Sequence, residues 1–257
     1  ATFGYAVWLR PQDAYLAKNG VAHDGEFATR MGLPGIPAFA ETIALITILR
    51  LVRETGTRVH VCRLSAAESV ELIATAKREG LPITCDVSAH HLHLADVDIG
   101  YFDAQCHVVP PFRGQRDREA LRAALAEGTI DAVCSDHTPI DDDGKQVPFG
   151  ESEPGVTGLE LLLPLTLKWA QELKLPMAKA FARVTIDPAR VLGIDAGGID
   201  VGGRADLCLF DADVHVPITP QRLHSQGKNT PFLGYELPGA VRYTIVEGKV
   251  VFEQPIE

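Results

Sequence analysis

The sequence predicts an α/β fold, in which a parallel sheet is covered by helices and is followed by a small β segment. Short, nearly continuous apolar runs alternate with longer segments of helical periodicity, the pattern of strands that helices bury on both faces. Glycines crowd the stretch after Leu192, and short β-type segments follow it. The chain has 257 residues, of which 46% are hydrophobic and 23% charged, so a packed core is expected.

The first predicted strand, residues 4–9, is apolar and aromatic and is expected to be buried. A helix is predicted over 38–55, because Pro37 is tolerated in a first helical turn and Gly56 suits a helix end. Its apolar residues at helical spacing are Ile43, Ile46, Leu49, Leu51 and Val52. A strand–helix alternation therefore begins here.

The alternation continues with strands predicted over 58–64 and 81–87. Between them lies a predicted helix over 66–79. Ser65 is expected to cap that helix, and Glu68, three residues further on, is placed to complete a capping box.

Helices are then predicted over 117–127, 158–172 and 177–184, with a strand over 130–135 between the first two. A turn is expected at Asp187-Pro188. This alternation predicts a parallel sheet covered by helices.

The pattern changes after this region. The predicted β segments are 205–210, 241–246 and 249–252, with a hairpin turn over 246–249. We therefore predict two units, residues 1–194 and a small β domain segment over 195–257.

Composition excludes several classes of partner. The net charge of −10 argues against a nucleic-acid or anionic-membrane partner. No apolar stretch approaches the roughly 20 residues that span a bilayer. The five cysteines are scattered without a Cys-x-x-Cys pair, which predicts a reducing compartment and no disulfide framework. The chain lacks an initiator Met and a signal peptide, so it is expected to be a processed or truncated cytoplasmic protein.

The residues most suggestive of chemistry are Asp136 and His137, which follow the apolar run 130–134. In barrels of parallel strands, the carboxyl ends of the strands carry the active site. A carboxylate at such an end is a candidate metal ligand or general base.

Seven segments together resemble the dihydroorotase branch of the amidohydrolase superfamily. They are 32–37 (Gly-Leu-Pro-Gly-Ile-Pro), 60–65 (His-Val-Cys-Arg-Leu-Ser), 89–92 (Ala-His-His-Leu), 110–113 (Pro-Pro-Phe-Arg), 135–139 (Ser-Asp-His-Thr-Pro), 154–160 (Pro-Gly-Val-Thr-Gly-Leu-Glu) and 227–232 (Gly-Lys-Asn-Thr-Pro-Phe). The resemblance implies a (β/α)₈ TIM barrel with a small β domain. It also implies one or two zinc ions and the interconversion of carbamoyl-aspartate and dihydroorotate in pyrimidine synthesis.

The resemblance places this chain in the C-terminal half of the barrel, strands five to eight, plus the β segments. Four strands cannot close an eight-stranded barrel. The first half, with the family's His-x-His metal pair, is expected on another polypeptide, or the sequence is a fragment.

The resemblance identifies the positions that correspond to the family's metal ligands, and two of these positions carry a different residue type here. Arg10 and Arg63 stand where the family has ligand histidines on strands five and six, while Asp136 keeps the position of the general base and metal ligand. A guanidinium group has no lone pair for zinc. An arginine near Asp136 is instead expected to form an ion pair with it.

The substrate-contacting positions have also changed. Val109 and Ile140 replace an asparagine and a histidine of the family, so those hydrogen bonds are lost. The corner at Pro154 and Gly155, whose backbone lies against the substrate in the family, is kept.

Other polar residues receive structural interpretations. His91 and His93 are expected to be structural or surface residues, and His60 a satisfied core histidine. His137 is expected to form hydrogen bonds beside the site rather than bind a metal. The acidic run 141–143 is expected to be solvated.

Two functions remain open. In the first, the protein resembles the inactive dihydroorotase homologues that assemble with aspartate carbamoyltransferase, or it self-associates, and it needs no zinc. In the second, it is an active zinc-dependent dihydroorotase whose first half supplies the missing histidines. Metal content distinguishes the two.

Overall fold

The computed structural model describes residues 4–254. Its strands are β1 (Val7–Leu9), β2 (Ala22–His23), β3 (Gly35–Ile36), β4 (Val59–Val61), β5 (Ile83–Ser88), β6 (Ala132–Cys134), β7 (Leu207–Pro217), β8 (Glu236–Val246) and β9 (Lys249–Glu253). Its α-helices are α1 (Glu26–Met31), α2 (Phe39–Thr55), α3 (Ala67–Arg78), α4 (Gln115–Glu127), α5 (Asp142–Lys145), α6 (Leu162–Glu172), α7 (Met177–Ala182) and α8 (Ile186–Leu192). Within this part of the chain, no helix is both long and apolar enough to cross a membrane.

The centre of the fold is a four-stranded sheet in the order β1-β4-β5-β6, with every neighbouring pair parallel. In the chain, α2 lies between β1 and β4, α3 between β4 and β5, and α4 between β5 and β6. Parallel strands need crossovers of this kind. The predicted α/β class, with a parallel sheet and helices, is therefore confirmed.

The first strand is shorter and less buried than the sequence predicts. The side chains of Val7 and Trp8 in β1 are 41% and 46% exposed. Within residues 4–254, β1 pairs with β4 on one side and with no strand on the other. An edge strand lacks the second neighbour that buries an inner strand. The strand predicted over 4–9 is therefore confirmed at 7–9, whereas the prediction that it is buried is wrong.

The helix predicted over 38–55 is confirmed as α2, but its apolar residues do not form one buried face. Leu49 and Val52 are buried, whereas Ile43, Ile46 and Leu51 are 44%, 52% and 58% exposed. The periodicity therefore located the helix but not its inner side.

Helix α3 is capped by residues far away in the sequence. Its N-cap residue Ala66 makes no side-chain cap. The Ser65 hydroxyl donates to the carboxylate of Glu41, which also accepts the backbone N–H groups of Ser65 and Ala66. Asp117 of α4 accepts the N–H of Ala67 at 2.8 Å. The predicted cap and capping box are wrong, because carboxylates of two other helices satisfy these donors.

Helix α8 replaces the turn predicted at Asp187-Pro188. Pro188 lies in its first turn, where the missing N–H breaks no helical hydrogen bond. Asp187 forms ion pairs with Arg183 at 2.9 Å and Arg190 at 3.1 Å, which hold the same turn.

The C-terminal strands form a separate antiparallel sheet in the order β7-β8-β9. β7 and β8 run for 11 residues each, longer than the predicted segments. The hairpin predicted over 246–249 is confirmed. Its central residues Glu247 and Gly248 have φ values of 52° and 76°, as a two-residue type I′ turn requires.

Helix α6 packs against β8 of this sheet, and its Trp169 is fully buried. The two elements approach each other closely at Gly239 in β8, which has a φ of 100°. A Cβ atom at this position would lie 2.4 Å from Cδ1 of Leu167. Glycine is therefore required here by both the backbone conformation and the packing.

Candidate functional site

Polar side chains meet at the edge of the parallel sheet where the strands end. Arg10 follows β1, Arg63 follows β4, Ser88 ends β5 and Asp136 follows β6. Because the strands are parallel, their carboxyl ends share one edge. That edge is where sites form in α/β folds.

Arg63 and Asp136 both leave their strands in the left-handed backbone region, with φ values of 59° and 45°. This conformation costs a residue with a Cβ atom about 1–2 kcal/mol. At Arg63 the bend is supported by its own N–H, which donates to Oδ1 of Asp86 at 2.7 Å. The sharp turns bring the two side chains together across the end of β5.

The carboxylate of Asp136 is nearly buried and has partners on both oxygens. Nη1 of Arg63 donates to Oδ1 at 2.7 Å, and the Ser88 hydroxyl donates to Oδ2 at 2.8 Å. The side chain of Asp136 is 11% exposed and that of Arg63 is 30% exposed. The ion pair expected between Asp136 and an arginine is therefore present, and its partner is Arg63.

His90 lies behind this ion pair. Its Nε2 is 3.7 Å from Oδ2 of Asp136, too far for a hydrogen bond. Burial lowers the pKa of His90 to about 4, although the charge of Asp136 raises it. The imidazole is therefore neutral at pH 7, and its contact with Asp136 is not an ion pair. This nitrogen has no hydrogen-bond partner within residues 4–254.

Arg10 lies at the outer end of the same row. Its Nη1 donates to the Val109 carbonyl at 3.3 Å. Burial and the charge of Arg63 lower the Arg10 pKa, and Asp136 acts in the opposite direction. A guanidinium group stays protonated in proteins, so the site contains two positive charges and one negative charge.

These side chains line a cavity of about 300 Å³. Its wall consists of Arg10, Arg63, His90, Val108, Val109, Asp136, Thr138, Pro154, Gly155 and Val156. The strand ends and the corner at 154–155 thus lie together. Ile140 does not line the cavity; its N–H donates to Oδ1 of Asn229 at 2.9 Å.

The backbone at Gly155 is already engaged by the protein. Its N–H donates to the His107 carbonyl at 2.9 Å, and its carbonyl accepts from Nδ2 of Asn229 at 3.0 Å. A Cβ atom at Gly155 would lie 2.7 Å from the Thr138 carbonyl oxygen. Close packing thus accounts for the glycine whether or not a ligand contacts it.

The strand ends do not fit the zinc site that the resemblance implies. Asp136 would supply carboxylate oxygens, but Arg63 and Ser88 already occupy them. Arg10 and Arg63 have no lone pair, and their charges repel a divalent cation. Zinc sites in proteins need three or four nitrogen, sulfur or oxygen donors. The described residues at this place do not provide them.

A second group of possible metal donors lies deeper, on β4 and β5. One donor atom each from His60, Cys62 and Asp86 lies within 4.8 Å of the others. Nitrogen, sulfur and carboxylate donors suit zinc. However, both ring nitrogens of His60 already have partners, Thr84 at 2.8 Å and Asp86 at 2.9 Å.

The thiol in this group is held in its protonated form by its surroundings. Burial and the charge of Asp86 raise the pKa of Cys62 to about 11, so it is protonated. Asp86 also accepts from the Cys134 thiol at 3.2 Å. The group is a satisfied polar cluster, and the expectation of a satisfied core His60 is confirmed.

Three further histidines have structural contacts. Nε2 of His91 contacts the Pro111 carbonyl at 3.3 Å, and Nε2 of His93 contacts the Leu165 carbonyl at 2.9 Å. Nδ1 of His137 accepts the N–H groups of residues 158 and 159, each at 3.2 Å, and thereby fixes the chain that leads into α6. The acidic run 141–143 is exposed. The hydrogen bonding expected of His137 and the solvent exposure expected of the run 141–143 are therefore confirmed, and His91 and His93 make structural contacts.

Ser88 and His90 are the contacts of Asp136 that the sequence did not reveal. Both lie at the end of the strand predicted over 81–87, next to the predicted strand 130–135. The order of strands in the sheet was the missing information. With that order, both residues fall beside Asp136.

Comparison with known proteins agrees with this fold. A model of the amidohydrolase family matches residues 18–251. A dihydroorotase-like protein of Pseudomonas putida is 44% identical over 250 residues, which are 97% of this chain and 59% of that protein. A dihydroorotase of Anaeromyxobacter dehalogenans is 40% identical over 254 residues, 98% of this chain and 59% of that protein. The chain therefore spans about three-fifths of the length of these curated relatives.

Solved structures of other proteins have a similar fold, and this chain again covers only part of each. An L-hydantoinase from Arthrobacter aurescens has a TM-score of 0.86 and 26% identity, covering 98% of this chain and 58% of that one. A dihydropyrimidinase from Brevibacillus agri has a TM-score of 0.85 and 22% identity, covering 98% and 57%. The second likeness supports the fold alone.

Proposed function

The chain belongs to the amidohydrolase family, and within it we propose a dihydroorotase-like protein without catalysis of its own. In this proposal it acts in pyrimidine synthesis as an assembly partner of aspartate carbamoyltransferase. The observation that carries the proposal is the ion pair between Arg63 and Asp136, with 2.7 Å between Nη1 and Oδ1.

The ion pair replaces a metal charge with a protein charge. A carboxylate that coordinates zinc donates a lone pair of an oxygen atom to the ion. Here Oδ1 of Asp136 accepts from Arg63, and Ser88 satisfies Oδ2. A carboxylate held in this way is poorly placed to take a proton from water. No metal is needed to satisfy it, and both arginines oppose one.

The parallel sheet is, in this proposal, the second half of a (β/α)₈ barrel. Four strands do not close a barrel. Among the described residues, one edge of β1 pairs with no strand, and this edge, with the exposed Trp8, is where a further strand would pair. The 58–60% coverage of the relatives supports the same interpretation. We also propose a boundary near residue 194, since α8 ends at Leu192 and the antiparallel sheet begins at Leu207.

Exposed apolar side chains support an assembly. Phe39, Ile43 and Ile46 of α2 are 50%, 44% and 52% exposed, and Trp8 of β1 is 46% exposed. Burying apolar surface of this kind drives association. The identity of the partner, aspartate carbamoyltransferase, comes from the resemblance, and self-association is the other form the assembly can take. The free cysteines agree with a cytoplasmic location in this proposal.

The alternative function is an active zinc-dependent dihydroorotase. Asp136 supports it, because this carboxylate stands at the end of a parallel strand where a general base would act. The donor atoms of His60, Cys62 and Asp86 offer a second possible place for a metal. Against it stand the two arginines and the partners that these donors already have.

Dihydroorotate hydrolysis by the purified protein tests the proposal. We expect no turnover in the wild type, in Asp136→Asn or in Asp142→Asn, an exposed carboxylate that serves as the control. We also expect co-elution with the carbamoyltransferase of the same organism in size-exclusion chromatography. Turnover that Asp136→Asn abolishes and Asp142→Asn leaves intact would establish the enzyme instead. Elution as a separate monomer would remove the assembly role.

A further inference from the structure

The turn over residues 97–103, which follows β5, exposes large apolar side chains. Val97 and Tyr101 are 62% and 92% exposed, and Phe102 is 38% exposed. The rings of Tyr101 and Phe102 lie edge to face, with 5.5 Å between their centroids. Phe102 has a φ of 59°, a left-handed conformation that is unfavourable for a residue with a Cβ atom. The turn thus presents two adjacent aromatic rings on the outside of the protein.

A loop from another part of the chain, residues 146–153, lies beside this turn. The buried Lys145 precedes the loop, and its Nζ donates to the His107 carbonyl at 3.3 Å. Within the loop, Oγ of Ser152 lies 2.9 Å from Nδ1 of the same histidine. His107 follows the turn by four residues, so both segments are fastened at one place. We call residues 97–103 and 146–153 together the docking surface.

The charged side chains of the docking surface are all acidic. The two segments contain no Lys or Arg. Helix α1, which packs against residues 96–99, carries one acidic and one basic residue and leaves this balance unchanged. The exposed carboxylates of the docking surface are Asp98, Asp103, Glu151 and Glu153. The exposed aromatic rings therefore lie among negative charges.

The sign of the charge decides which occupant fits the docking surface. A two-fold contact between copies of this chain would place the same patch on both sides. Carboxylates would then face carboxylates, which opposes association. Nucleic acids and anionic membranes are repelled for the same reason. A different protein with basic residues around an apolar pocket complements both the rings and the carboxylates, and aromatic anchors with a polar rim are typical of protein interfaces.

We propose that the docking surface binds a different protein, whose contact face has an apolar pocket for Tyr101 and Phe102 and a rim of Lys or Arg. The inference rests on the proposed function, in which that protein is the carbamoyltransferase. It adds a contact surface other than the exposed side chains of α2 and β1.

Isothermal titration calorimetry of the full chain with the carbamoyltransferase of the same organism measures the Kd. Tyr101→Ala should weaken binding about tenfold or more, because it removes an aromatic anchor. The matched control is Tyr15→Ala, which removes a tyrosine that is 89% exposed and lies outside the docking surface. It should bind like the wild type. Circular dichroism checks that both variants are folded.

The carboxylates are tested through the salt dependence of the same Kd. Added sodium chloride should weaken binding, because it screens exposed charges. Glu151→Gln should make the Kd less sensitive to salt, since a charge at the rim of an interface acts mainly in this way. Glu127→Gln, which changes an exposed carboxylate at the end of α4, should keep the salt dependence of the wild type.

Three results would overturn the inference and leave the assembly role intact. They are unchanged binding by a folded Tyr101→Ala variant, an equal loss in Tyr15→Ala, and binding that is insensitive to salt. Sedimentation of the chain alone tests the other occupant. Self-association that Tyr101→Ala abolishes would show that a second copy covers the surface, and would overturn the inference as well. A wild type that does not bind the carbamoyltransferase would overturn both the assembly role and the inference.

Discussion

Replacing Arg63 by glutamine should destabilise the protein, because it leaves the carboxylate of Asp136 without a cation. The side chain of Asp136 is 11% exposed and that of Arg63 is 30% exposed, so water screens the pair only in part. A charge-assisted hydrogen bond contributes about 1.5–3 kcal/mol. Because Arg63 is nearly a third exposed, the loss should lie in the lower part of that range, about 2 kcal/mol.

Urea denaturation and thermal unfolding measure this loss. In a domain of this size, about 2 kcal/mol corresponds to a fall in Tm of about 4–8 °C. Asp136→Asn and the double variant complete a cycle. Because Arg63 and Asp136 are in direct contact, their effects should not add, and the interaction energy should be about 1.5 kcal/mol.

Arg50→Gln is the control for this experiment. Its ion pair with Glu54 is exposed, 71% and 58% for the two side chains. Such a pair contributes about 0.5 kcal/mol or less. If Arg63→Gln is no less stable than Arg50→Gln, the ion pair at the strand ends does not hold the site together.

Three further predictions concern packing, pH and thiol reactivity. Gly239→Ala should lower the free energy of unfolding by about 1–3 kcal/mol. Gly150→Ala is the control, because nothing lies within 4 Å of an added Cβ there, and it should change the free energy of unfolding by about 0.5 kcal/mol or less. Equal stability of the two variants would contradict the packing of α6 on β8. The pKa of His90 is lowered from 6.5 to about 4 by burial, so the unfolded state binds the extra proton between these values. The stabilising contribution of neutral His90 is present above pH 6.5 and is lost as the pH falls towards 4. The free energy of unfolding of His90→Gln should therefore depend less on pH between 6.5 and 4 than that of the wild type. The same pH dependence in both proteins would refute this prediction. Burial raises the pKa of Cys62 to about 11. Cys62 should therefore react with iodoacetamide at pH 8 more slowly than the exposed Cys208, as measured by mass spectrometry. Faster labelling of Cys62 would contradict its burial.

The sequence predicts the alternation of strands and helices well, because each element has its own period. It also places Arg63 and Asp136 at the ends of strands, and the structure brings these two side chains into contact at 2.7 Å. The link between the two levels is the parallel sheet, which gathers strand ends at one edge. Local pattern predicted the strands, whereas the choice of Arg63 and Asp136 as neighbouring site positions came from the resemblance to the dihydroorotases.

Contacts between distant parts of the chain were not predictable from local pattern. Ser65 was expected to cap α3, but Glu41 and Asp117 provide that cap, from 24 and 50 residues away in sequence. Trp8 was expected to be buried, but β1 is an edge strand among the described residues. In each case the missing information was which part of the chain packs against the residue in question. The periodicity of apolar and polar residues does not encode it.

The replacement of two imidazole ligands by arginine is visible in the residue types, whereas the neutral His90 beside Asp136 was not inferable from them. A guanidinium group at a ligand position excludes a zinc bond wherever it lies. The pKa of His90 depends on its burial, which only the packed structure determines.

The zinc content of the purified full chain, determined by plasma mass spectrometry after growth with added zinc, tests most directly whether the Arg63–Asp136 pair stands in place of a metal. We predict zinc far below one ion per chain, unchanged in Asp136→Asn. About one zinc ion per chain in the wild type, lost in Asp136→Asn, would contradict it.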